Sequence, residues 1–99
     1  MSKIILNLSH GLSQEAQAQL EARIGPFEEA RIPCHLDLSQ PLEPQIKALL
    51  EDAPAADYIV PPSLAPAAFL VGQRFAKGTP LIWLRSQGSP PRWVLGGIE

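Results

Sequence analysis

The chain has 99 residues, a formal net charge of −2 and a single cysteine, Cys34. That is one small domain, able to bury roughly two-thirds of its unfolded surface. The lone cysteine excludes an intrachain disulfide and a zinc cluster, and ordinary apolar and charged contents argue against disorder.

The first element is the apolar run KIILNL, Lys3 to Leu8, which reads as a buried strand. One lysine before so short a run is not a signal-peptide core, and no later run approaches membrane-spanning length, so the expected location is cytoplasmic. Ser13 is a good N-cap for a helix over Gln14 to Ile24, with Ala16, Leu20 and Ile24 along one face and Gly25-Pro26 as the stop. RIPCHLDLS then alternates, Ile32, Cys34, Leu36 and Leu38 on one side and His35 and Asp37 on the other. Its Pro33 cannot donate to a ladder, which predicts an edge strand.

A second helix is expected from Pro41 to Glu51, with Leu42, Ile46, Leu49 and Leu50 inward. DYIV is a third strand, closed by Pro61-Pro62. Ser63 is the expected cap of a third helix through Ala76, with Gly78 as its stop. TPLIWLR and RWVLGGI are the fourth and fifth strands, joined by SQGSPP. Strands alternating with helices imply a parallel sheet covered on both faces, and the short last link makes the terminal pair antiparallel. The expected architecture is a single Rossmann-like α/β domain over residues 1–99. It has about five strands, mostly parallel, with a C-terminal antiparallel hairpin and strand two at one edge.

Charge is unevenly spread. Residues 1–57 hold nine carboxylates against four bases, whereas residues 58–98 hold no carboxylate and four bases, Arg74, Lys77, Arg85 and Arg92. A local positive field on a mildly acidic protein suits a small, localised anion better than duplex nucleic acid.

Ligands of open α/β sheets bind beyond the carboxyl ends of the strands. Those ends are Asn7, Ser9, His10 and Gly11 after the first strand, and Pro61, Pro62 and Ser63 after the third. After the fourth they are Arg85, Ser86 and Gln87. Two of these loops lead into helix N-termini, which welcome phosphate, and Arg85 adds forked donors. The blander readings stand beside these. Ser13 and Ser63 fit plain N-caps, Asn7 can satisfy loop backbone, His10 can be a solvated loop histidine, and Arg85 can snorkel at a strand end. Trp83 reads more readily as core than as a base-stacking platform. Arg92 and Lys77 fit ordinary surface charges, and His35 with Asp37 does not make a metal site.

The third helix is apolar on two sides. Leu64, Ala67, Ala68, Val71 and Phe75 form the inner stripe, and Ala65, Phe69, Gly72 and Ala76 a second one of mostly small residues. Burial on both sides predicts a homodimer built partly on this helix.

ILNLSHGLSQEAQAQLEA together with PPSLAPAAFLVGQRFAKGTPLIWLR resembles the small Csx proteins of type III CRISPR systems, most nearly the Csx family numbered fifteen. The likeness covers the first 25 residues and roughly residues 58–85, most specifically N-L-S-H and P-P-S-L-A-P-A-A. It implies a Rossmann-like sensor of cyclic oligoadenylate, with cyclic tetra-adenylate bound across a dimer. Carried over by position, it implies Asn7, Ser9, His10, Pro62, Ser63 and Arg85 as ligand contacts. No cofactor and no metal is expected. Two functions follow from the resemblance. One is sequestration of the messenger, or its relay to a partner. The other is a metal-independent ring nuclease with His10 as base and Arg85 as charge stabiliser. Strand-end loops without carboxylate or lysine tilt the reading toward binding. A third reading sets the resemblance aside and keeps a generic nucleotide-binding α/β domain.

Overall fold

The computed structural model describes residues 2–9, 11–32, 35–51, 53–75 and 78–99, without the side chains of Arg74 and Phe75. Its centre is β1 (Lys3–Asn7), an apolar strand paired in parallel on both edges, to β2 (Phe27–Arg31) and β3 (Tyr58–Val60). Ile5 and Leu6 point to opposite faces and both are buried, which is why this strand reads as a continuous apolar run. A C-terminal hairpin, β4 (Ile82–Gln87) and β5 (Arg92–Ile98), is antiparallel. A single parallel bridge, Ile59 to Leu81, joins it to β3, supported by Ile59 N–H donating to Pro80 O at 3.1 Å. The protein is thus α/β, with a three-stranded parallel sheet and a two-stranded antiparallel hairpin.

Helices cover both faces. On one, Leu6, Leu8 and Ile59 pack with Ile46 of α2 (Leu42–Leu50) and with Ala67 of α3 (Ala65–Leu70) and Val71. On the other, Ile5, Val60 and Ile82 pack with Leu12 and with Leu20 of α1 (Gln14–Ile24). The period-2 alternation of the strands thus divides one core into two leaves.

The sequence places α1 correctly at both ends. Ser13 Oγ accepts from Ala16 N at 3.1 Å, and Gly25, at φ 85°, donates to Glu21 O at 3.0 Å. The third helix differs from expectation at both ends. Its N-cap is Leu64 rather than Ser63, with no side-chain cap bond, and the chain widens into a π-helical turn over Val71–Phe75. Ala76 and Lys77 lie outside the described residues.

Strand two is the main correction. It is FEEAR, not RIPCHLDLS. Gly25 reverses the chain, Pro26 O accepts from Lys3 N at 3.2 Å, and pairing with β1 starts at Phe27. It ends with Ile32 N–H donating to Asn7 O at 3.0 Å, just before Pro33, which has no N–H to offer. The strand is at the sheet edge, as expected, and its exposed Glu28, Glu29 and Arg31 suit that position. His35 and Asp37 therefore lie on no strand. Asp37 instead accepts from the Ser39 hydroxyl (2.6 Å) and amide (2.9 Å), which hold its carboxyl below the usual value, in the turn before α2.

Asn7 ends β1 and is fully buried. Its Nδ2 donates to Glu29 Oε2 of the neighbouring strand at 2.5 Å, and its Oδ1 accepts from Ser9 N at 2.9 Å. Asn7→Ala is expected to lower stability by about 1–3 kcal/mol, read from a urea midpoint, because Ser9 N–H loses its partner. Asn7→Asp keeps that acceptor but sets a second carboxylate beside Glu29. Crowding and burial raise the new group's pKa in the folded state, so protonation favours folding. The deficit of this variant is expected to shrink as pH falls from 7 toward 5, and that of the alanine variant to stay constant.

Candidate ligand cleft

Two chain exits and the hairpin meet at the carboxyl end of the parallel sheet. Beyond β1 come Ser9, Gly11 and Ser13, beyond β3 come Pro61 and Ser63, and the facing wall is Ile82, Trp83, Leu84 and Trp93 of the hairpin. They enclose a cleft of about 430 Å³, floored by Val60. This volume falls within the ~300–1,000 Å³ of small-ligand pockets, and the mix of apolar wall and few polar groups is typical of them.

The hairpin wall is held in place by α1. Ser13 Oγ donates to Trp93 O (2.8 Å), Gln19 Oε1 accepts from Leu95 N (2.8 Å), and Arg92 pairs with Glu15 at 3.3 Å. Side chains of one helix therefore satisfy the outer backbone edge of β5, which would otherwise present open donors and acceptors. The exposed Arg92–Glu15 pair adds little by itself.

Trp83 owes its position to a bulge. The β4–β5 register shifts between Trp83, opposite Gly97, and Leu84, opposite Leu95, leaving Gly96 as the extra residue. The indole lies over both glycines. A Cβ on Gly97 would stand 2.9 Å from Trp83 Nε1, and one on Gly96 would collide with the ring itself. Trp83 and Trp93 remain 44% and 59% exposed, well above what a core tryptophan shows. The expectation that Trp83 belongs to the core is thus corrected: both indoles offer surface to the cleft.

Of the residues expected at a site, Ser9, Gly11 and Ser63 line the cleft together. Asn7 lies behind it, engaged as described, and Pro62 is buried beside it. Arg85 and Ser86 do not line it, because β4 runs on to Gln87 and keeps both inside the ladder, exposed and paired with Val94 and Trp93. His10 lies outside the described residues. Ser13, Trp93 and Arg31 were not singled out as site residues from the sequence. Arg31 became visible only with the true position of β2, and its guanidinium lies against Gly11, where an added Cβ would stand 3.3 Å from Nη1.

The described lining carries hydroxyls and indoles but no titratable side chain. Among the described residues no group of three or more His, Cys, Asp or Glu is placed to hold a metal ion. Phe69 and Ala65 on the outer side of α3 are exposed, Phe69 by 65%, and Gly72 is half-buried, while Ala67 and Val71 face the core. No helix among the described residues is long and apolar enough to cross a membrane. Comparison with protein-family models, curated proteins and solved structures finds no significant match.

Gly96→Ala is expected to drive the Trp83 ring off the bulge. The outcome is a changed tryptophan emission spectrum and a stability loss of about 1–3 kcal/mol by urea unfolding. In a Trp83→Ala background the same change should cost far less, because the colliding ring is gone.

Proposed function

We propose that the cleft binds the nucleotide units of a cyclic oligoadenylate, most nearly cyclic tetra-adenylate, and that the protein lowers the free concentration of this messenger by holding it. The observation that supports this best is the pairing of two exposed indoles with strand-exit hydroxyls at the carboxyl end of the sheet. Indole faces stack purines without needing charge, and hydroxyls and loop amides suit ribose and phosphate oxygens. We read the fold as a reduced Rossmann-like unit, in which strand order β2-β1-β3 continues across the Ile59–Leu81 bridge into the hairpin. The likeness of the N-L-S-H and P-P-S-L-A-P-A-A segments to the Csx family points to the ring in particular.

A cleft of about 430 Å³ takes one nucleotide more readily than a ring of four, so the ring is shared between copies. α3 begins two residues after Ser63, and pairing of two protomers along Ala65, Phe69 and Gly72 would bring two clefts toward one axis. A ligand of near four-fold symmetry repeats its contacts across such a two-fold. The strand-exit loops offer hydroxyls and one imidazole with no carboxylate or lysine beside it in the sequence, which supports holding the ring over cutting it.

Incubating excess protein with radiolabelled cyclic tetra-adenylate, then denaturing and chromatographing it, should return the intact ring after hours. Linear products that vanish in His10→Ala would instead establish a ring nuclease. Preference for common mononucleotides over the ring on a native gel would leave a generic nucleotide binder. Trp93→Ala is expected to weaken retention by roughly 5- to 150-fold, the ~1–3 kcal/mol of one base stacked on an aromatic ring. By light scattering the parent should be a dimer and Phe69→Glu a monomer; a monomeric parent would remove the shared-ring arrangement.

A further inference from the structure

Resting on that reading of the cleft, we infer that the anion subsite is built by Arg31 at the end of β2, reaching over Gly11, and that it takes a phosphodiester or phosphate of the ligand. Four observations lead there.

The first is placement. Arg31 pairs with Asn7 at the last register position of the ladder, so it stands at the carboxyl end of the sheet, where the cleft opens. Its guanidinium lies against Gly11, a residue of the cleft lining. The second is space. Gly11 has no Cβ, and a methyl there would stand 3.3 Å from Arg31 Nη1, tight enough to push the fork aside. Glycine at this position leaves the guanidinium flush with the loop.

The third is charge. Glu29, two residues earlier and on the same face of β2, is the carboxylate best placed to neutralise Arg31, but Asn7 Nδ2 holds it at 2.5 Å. Among the described residues Arg31 forms no ion pair, whereas Arg92 is paired with Glu15. An exposed, unpaired guanidinium beside a ligand cleft presents five donors in a fork that fits phosphate oxygens.

The fourth is the lack of a rival. The start of α1 is occupied by its own cap, Ser13 to Ala16, and carries the acidic Glu15 in its first turn. The α3 segment is only six residues long and has a proline at its start. Arg85 follows the lining residue Leu84 but is not itself part of the lining, and among the described residues no contact places its guanidinium against a lining residue. Arg31 is thus a described cation whose guanidinium lies against a lining residue and which forms no ion pair among the described residues.

The test compares parent, Arg31→Gln and Arg85→Gln for binding of cyclic tetra-adenylate and of adenosine, which shares the base but lacks phosphate. Arg31→Gln is expected to weaken the ring by at least tenfold and leave adenosine unchanged. The slope of log affinity against log salt should also become shallower, by about one phosphate contact. Arg85→Gln should match the parent. A second measurement needs no variant: the ring should protect Arg31, but not Arg92, from modification by phenylglyoxal in the parent, read by peptide mass spectrometry. If the parent binds the ring while Arg31→Gln binds it equally well, or if Arg31 is not protected, the inference is overturned and the nucleotide reading stands. If the parent binds neither ligand, the nucleotide reading itself falls.

Discussion

The buried amide of Asn7 is the constraint on which the ligand end of the molecule depends. It sits where the central strand stops, and an unpaired polar group there would cost about 1–3 kcal/mol. Two of its bonds act in different directions. One turns the chain, through Ser9 N–H, from the strand into the loop that lines the cleft. The other ties β2 to β1 through Glu29 and draws that carboxylate away from Arg31. A single side chain thereby joins the rim loop to the edge strand.

The opposite wall has a different origin. Parallel pairing holds β1, β2 and β3 together, whereas among the described residues one bridge joins β3 to the hairpin. The hairpin is therefore positioned by α1, whose Ser13 and Gln19 bond to the outer edge of β5, and by contacts of Leu84, Leu95 and Ile98 with the core under that helix. The bulge at Gly96 then lets Trp83 lie flat on its neighbour strand. The cleft thus lies between a rigid parallel sheet end and a hairpin clasped by a helix. Its width is coupled to the docking of α1, so changes at Gln19 should be felt at the indoles.

Much of the fold was legible because local rules and packing agree there. Ser13 and Gly25 cap α1 at both ends, and the Ala16–Leu20 spacing matches the face it buries. β5 and the short DYIV strand follow from apolar runs bounded by proline or glycine. Strand two was misread because RIPCHLDLS alternates better than FEEAR, and alternation is only a proxy for half-burial. The competing rule was connection length. A helix ending at Gly25-Pro26 leaves the next residues already beside β1, and an edge strand tolerates two glutamates and an arginine. That one shift hid Arg31, which no pattern marks as a site residue until it is placed opposite Asn7. The indoles were hidden for a related reason: a tryptophan in an apolar strand is usually core, and only the glycine pair opposite Trp83, read together with the register, reveals a surface platform.

The division of labour at the cleft bears on binding against chemistry. On the proposed reading, stacking on Trp83 and Trp93 and phosphate contact at Arg31 would be made fully by a ground-state ligand, and uniform binding does not accelerate a reaction. A catalytic site needs groups whose contacts strengthen as charge develops, and of the lining hydroxyls that of Ser13 already caps α1 and bonds Trp93 O. In a chain of 99 residues the end of the sheet is small, and Asn7 and Ser13 there are engaged in holding the fold. Among the described residues this end offers two exposed indoles and the Arg31 guanidinium. On the proposed reading, tightness would come from sharing the ligand between copies rather than from enlarging the site.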